Sequence, residues 1–307
     1  MPPPDLRVSL GSLRLANPVL VAAGTFGYGL EFASALRLER LGGLMTKTLT
    51  PMPRAGHPPP RLVETPSGML NAVGLQNIGL EAFLAQKLPA LRCHQVPVIV
   101  SILGESSEDA AAMAGRLDRA EGASAIELNL SCPNVKRPAS SRMVAQDADE
   151  TFAVVQAVRR QTRKPLIAKL SPDVTDLAPI AQAAERAGAD ALSLVNTFTG
   201  MSLDPATRRS RLGAMTGGLS GPAIRPMAVY RVWYTATTVR IPLIGLGGIV
   251  RAEDALEFFL AGASAVAVGT ANFANPRAPL SILRGIERYL IRHRLPSIDA
   301  LRGAVTS

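Results

Sequence analysis

Residues 242–271 read PLIGLGGIVRAEDALEFFLAGASAVAVGTA. An apolar run, 242–248, ends in the pair Gly247-Gly248. An amphipathic stretch follows, with Glu253 and Asp254 near its start and Gly262 at its stop. A second apolar run, 265–271, closes the segment. Acids in a first turn and glycine just past a last turn favour a helix. Runs rich in Val, Ile and Leu suit strands buried on both faces, as in a parallel sheet. The stretch therefore reads as strand, helix, parallel strand.

Six more apolar runs lie upstream, at 18–24, 42–50, 97–104, 125–131, 165–171 and 191–197. Amphipathic segments such as SEDAAAMAGRLDRAEGA separate most of them. Eight alternations in one α/β chain predict a (β/α)8 TIM barrel, here a single domain over residues 1–307. Two connections are long, 51–78 and 198–220. Both follow strands, so both belong at the C-terminal face, where long loops cover ligands. The opening LRVSLGSLRLANPV, 6–19, predicts an N-terminal β-hairpin turning at Gly11 that plugs the opposite end.

Composition excludes several classes. No apolar run is long enough to span a bilayer, and MPPPDLRVSL lacks the pattern of a secretory signal. Two cysteines, Cys93 and Cys132, make neither a disulfide scaffold nor a metal-ligand spacing, so a cytoplasmic setting is expected. The net charge of +9 is the balance of 33 Lys and Arg against 24 Asp and Glu; only five of the basic residues are Lys, and the basic residues are scattered. Scattered charge suits a solvated surface better than a nucleic-acid site. Lys47 and Lys169 are informative because they lie inside apolar runs. A buried ammonium needs an acid partner or a ligand.

The tips of runs seven and eight, Gly247-Gly248-Ile249 and Gly269-Thr270, suit backbone binding of a phosphate. Residues 245–250 do not complete a dinucleotide fingerprint, so a mononucleotide is expected. Asn71, Asn129, Asn134 and Asn196 mark other proposed tips. A carboxamide both donates and accepts, which suits a planar ring with alternating N–H and C=O groups. Turn chemistry accounts for Asn134, but not for Asn129 or Asn196, which end apolar runs. His57, His94 and His293 lie away from the tips, and no carboxylate pair converges there. Carboxylate-pair hydrolysis, a Ser–His–Asp triad and a histidine-bound metal are disfavoured. Cys132, Lys47 and Lys169 remain as acid–base candidates. A lone cysteine is usually an inert core residue, but a strand-tip position favours reactivity.

The segments GGLMTKTLT (42–50), NAVGLQNIG (71–79), NLSCPNVK (129–136), VNTFTGM (195–201) and GGLSGPAIRP (217–226), with LGGI and VGTANF, resemble class 1 dihydroorotate dehydrogenases, most closely the subtype 1B catalytic subunit. The likeness runs over about residues 6–290 in the same order. It implies an FMN enzyme oxidising dihydroorotate to orotate in pyrimidine synthesis. Cys132 would be the base that takes the C5 proton while C6 gives hydride to flavin N5. Substrate contacts would come from Lys47, Asn71, Ala72, Val73, Gly74, Leu75, Asn129, Asn134, Asn196 and Thr197. Cofactor contacts would come from Ala23, Gly24, Lys47, Thr48, Ser101, Asn129, Lys169, Val195, Gly221, Gly247, Gly248, Gly269 and Thr270. Lys169 would lie near flavin N1 and O2 and stabilise negative charge there. The resemblance also implies a homodimer core. A partner subunit would carry FAD and an iron–sulfur cluster and pass electrons to NAD.

Three positions depart from that pattern. Ala23 stands where many members have serine, and Ser101 where subtype 1B usually has asparagine. The stretch VKRPASSRMVAQD replaces a glycine-rich one, leaving the electron acceptor open between NAD through a partner, fumarate and a quinone. The main rival is a tRNA dihydrouridine synthase, which shares an FMN barrel and a cysteine before proline. It carries a helical C-terminal domain, whereas only residues 272–307 follow run eight here. A Schiff-base aldolase using Lys169 leaves the cysteine and asparagines unexplained. A non-catalytic flavin or phosphate barrel leaves Cys132 and Lys47 unexplained.

Overall fold

A computed structural model describes residues 3–130 and 143–306. Eight parallel strands close into a barrel: Val19–Val21, Gly43–Met45, Val98–Ile102, Ala123–Asn129, Leu166–Lys169, Ala191–Leu194, Leu243–Leu246 and Ala265–Val268. They follow one another around the barrel in chain order, and Val268 closes it by pairing with Val21. Every apolar run of the sequence supplies one strand. Their side chains are buried almost throughout, which is why the runs show no alternation.

The hairpin forms as expected, Val8–Leu10 against Leu13–Leu15. Val8, Leu10, Leu13 and Leu15 are buried while Arg14 points outward. Gly11 turns with φ of 59°, and a Cβ there would lie 2.7 Å from Cβ of Asp190. Asp190 immediately precedes the sixth barrel strand, so the hairpin lies against the N-terminal end.

Local signals set the outer helices. Ser106 accepts from the backbone N–H of Asp109 at 3.0 Å and starts the helix Ser107–Asp118. The helix Ala252–Leu260 stops where Gly262 adopts φ of 110°. The alternation is not complete. Between the first two barrel strands stand two 3-10 turns, Leu30–Phe32 and Leu38–Arg40, in place of an α-helix. Gly27 and Gly29, both at positive φ, interrupt that segment.

The two long connections fold together. Phe198–Gly200, Gly217–Ser220, Gly68–Asn71 and Leu62–Thr65 form a four-stranded antiparallel sheet in that order. Gly218 pairs with Asn71, bringing Asn71 beside the chain that leaves the sixth barrel strand.

Candidate active site

At the C-terminal ends of the barrel strands lies a cavity of about 220 Å³. Its floor uses the tips of the first, seventh and eighth strands: Ala22, Ala23 and Gly24, then Leu246 to Gly248, then Ala267, Gly269 and Thr270. Lys47, Thr48, Asn129 and Lys169 line it from the second, fourth and fifth tips. Val195, Asn196 and Thr197 line it beyond the sixth. The small sheet and its flanks add Asn71 to Leu75, and Gly217, Gly218, Ser220 and Gly221.

Lys169 is the last residue of its strand and only 4% exposed. Its Nζ lies 4.0 Å from Glu127 Oε1. Both alternatives posed by a lysine in an apolar run thus hold for Lys169, which has an acid neighbour and faces a cavity. Asn129 ends the fourth strand, is 9% exposed, and donates from Nδ2 to Thr48 Oγ1 at 3.3 Å. Thr48 is 2.9 Å from Ser101 Oγ. Ser101 is fully buried behind Thr48 and is not a lining residue. Asn71 Nδ2 donates to the Gly218 carbonyl at 3.1 Å, and Asn196 Oδ1 accepts from the Thr197 N–H at 2.8 Å.

The glycines separate by what surrounds them. Gly247 and Gly248 have φ of 128° and 74°, so backbone conformation requires glycine at that turn. Gly269 has no such requirement. A Cβ there would meet only Ala22 at 3.6 Å and Thr25 at 3.9 Å, ordinary contacts with two other lining residues. A Cβ at Gly24 would meet only Lys47 Nζ, at 3.8 Å. These two positions leave room that no atom of the described residues fills.

Each remaining residue named from the sequence lines this cavity, apart from Cys132 and Asn134, which lie outside the described residues. Sequence reasoning missed Ser220, Asp173, Thr199 and Met143, all lining residues. Ser220 accepts from Thr270 Oγ1 at 2.8 Å, and Asp173 accepts from the N–H and hydroxyl of Thr199. Ser220 was within reach of sequence reasoning, since it adjoins Gly221 in a motif already noted. Asp173 carries no local signal, because its place depends on the fold of 198–200.

The dihydroorotate dehydrogenase family model matches residues 5–290. The chain belongs to the dihydroorotate dehydrogenase family. Three similar proteins are each named dihydroorotate dehydrogenase B (NAD(+)), catalytic subunit. That of Citrifermentans bemidjiense is 51% identical over 98% of each chain. That of Pelobacter propionicus is 52% identical over 98% of this chain and 99% of its own. That of Desulforudis audaxviator is 54% identical over 97% of this chain and 96% of its own. The subtype 1B resemblance is thereby borne out. So is the activity read from the sequence, dihydroorotate dehydrogenation in pyrimidine biosynthesis, and the dihydrouridine synthase reading is set aside.

Proposed function

We propose that this chain is the FMN-binding catalytic subunit of a cytoplasmic, NAD-linked dihydroorotate dehydrogenase. The observation that carries the reading is one cavity that brings together, among the described residues, two lysines, three carboxamides and two glycines whose missing side chains leave it open. FMN fits these residues. Gly24, Gly221, Gly247, Gly248, Gly269 and Thr270 would hold it by close backbone approach, with Ala23, Thr48 and Val195 against it. Ser101 would support it through Thr48. When bound, FMN supplies the acceptor for the hydride that leaves substrate C6.

The chain's own groups do the rest. Lys47 binds the substrate carboxylate by charge. Asn71, Asn129, Asn196 and Thr197 match the ring's donors and acceptors and fix its orientation. The segment Ala72 to Leu75 walls the ring in and limits water. Cys132 takes the C5 proton as base, and Asn134 adds a ring contact. Both assignments come from the motif NLSCPNVK. Lys169 presents positive charge where the bound cofactor gains electrons.

The relatives' names, with NAD(+) and "catalytic subunit", support an electron-carrying partner. That partner would carry FAD and an iron–sulfur cluster, and the catalytic chain would form a homodimer. Among the described residues no His, Cys, Asp and Glu cluster is arranged to hold a metal, and no helix is long and apolar enough to cross a membrane. The test is to reduce the flavin-loaded chain anaerobically with dihydroorotate, then offer NAD, fumarate and a quinone in turn, with and without copurifying protein. NAD should reoxidise it only with the partner present. Direct, rapid reoxidation of the isolated chain by fumarate would overturn the NAD-linked assignment.

A further inference from the structure

Glu127 is wholly buried in the fourth barrel strand and is not a lining residue of the cavity. Its Oε2 accepts from Ser193 Oγ, on the sixth strand, at 3.1 Å. Its Oε1 has no hydrogen-bond partner among the described residues and stands 4.0 Å from Lys169 Nζ. Lys169 belongs to the strand between those two, in register with Ser193. Among the described residues, Lys169 is the one cation within ion-pair distance of Glu127. Among the described residues, the other charged ones lining the cavity are Lys47 and Asp173, and the Asp173 carboxylate is engaged by Thr199.

A barrel interior packs well with branched apolar side chains, and a carboxylate there is costly unless it is compensated. Packing therefore does not account for Glu127. A lysine has a flexible four-carbon stem and three rotatable donors, so its charge is poorly placed without a fixed partner. At 4.0 Å the carboxylate attracts the ammonium without engaging its donors in a hydrogen bond. We propose that Glu127 is a positioning residue: anchored by Ser193, it holds the Lys169 ammonium at the cavity wall and so sets the charge that a bound cofactor meets. The proposal rests on the flavin reading of the cavity given above.

The test is a double-mutant cycle on the reduction potential of bound FMN, using the full chain as wild type, Glu127→Gln, Lys169→Met and the double variant. Glu127→Gln keeps the shape and removes the charge. It should move the equilibrium about tenfold toward oxidised flavin, a fall of about 30 mV for a two-electron couple. In the Lys169→Met background the same change should move it less than about twofold. Glu127→Asp, which keeps the charge, should recover most of the fall. If Glu127→Gln does not fold, Glu127→Asp and Ser193→Ala enter the same cycle. Each should give a smaller fall that vanishes without Lys169. No fall, a rise, or an equal fall in both backgrounds would overturn the proposal. Failure of the functional reading is distinct: the wild-type chain would then hold no FMN, or dihydroorotate would not reduce it.

Discussion

Replacing Gly269 with alanine separates a ligand cradle from a structural turn. Gly269 follows the eighth barrel strand and lies outside the left-handed region, so alanine is conformationally allowed. Its methyl would rest at 3.6 Å from Ala22 and 3.9 Å from Thr25, and nothing else among the described residues lies within 4 Å. The folded protein therefore accommodates the methyl, and a Gly→Ala change at a compatible site stabilises by roughly 0.4–1 kcal/mol. A ligand held by close backbone approach does not accommodate it. Inserting one carbon into a tight contact costs about 1–3 kcal/mol, a rise in Kd of roughly 5- to 150-fold. Quenching of flavin fluorescence gives the FMN affinity, and calorimetry gives Tm. Gly269→Ala should keep or raise Tm while weakening FMN. Gly245→Ala is the control, because its methyl would strike the Phe258 ring, and it should lower Tm. An unchanged FMN affinity in Gly269→Ala, or a loss of Tm like that of the control, would refute the reasoning.

Gly248→Ala should fail in both respects, since φ is 74° and the new Cβ would lie 2.6 Å from Arg225 Cβ and 2.9 Å from the Gly221 carbonyl oxygen. A loss of about 1–3 kcal/mol in chemical denaturation, together with weaker FMN, is expected. Asn196→Ala should weaken orotate binding to the flavin-loaded chain by roughly 2- to 12-fold, the worth of one hydrogen bond, and calorimetry with no change would count against its role. Asp118 accepts from the Arg163 N–H at 2.7 Å and the Thr162 hydroxyl at 2.8 Å, which hold its carboxyl below the usual range. Its contribution to stability is present above the unfolded value near 3.8 and is lost as pH falls through the lower folded value. Asp118→Asn should therefore lower Tm at neutral pH, and the gap from wild type should close in strong acid. A gap independent of pH would contradict this.

The barrel was legible because each strand is buried on both faces and announces itself as an uninterrupted apolar run. Asn129 and Lys169 were legible for a related reason, as polar groups ending runs that otherwise exclude them. The small sheet was not. Its strands Gly68–Asn71 and Gly217–Ser220 are glycine-containing, half-buried and far apart in sequence, so neither carries a local period. Each reads as a loop until the other is beside it. Ser101 shows a different limit. Its place on the third strand was readable, but Thr48 stands between it and the cavity, and only packing decides that. Glu127 carries no local signal of a role, because its meaning depends on Lys169 and Ser193 from two other strands.

The most direct measurement is the visible absorbance of the purified, FMN-loaded chain after anaerobic mixing with dihydroorotate, compared between wild type and Cys132→Ala. The wild-type colour should bleach rapidly, and the variant should keep its flavin yet bleach slower by roughly 100- to 10,000-fold, the contribution of a positioned base. A wild-type chain that stays yellow, or a variant that bleaches at the wild-type rate, would contradict a thiol base acting on dihydroorotate in this cavity.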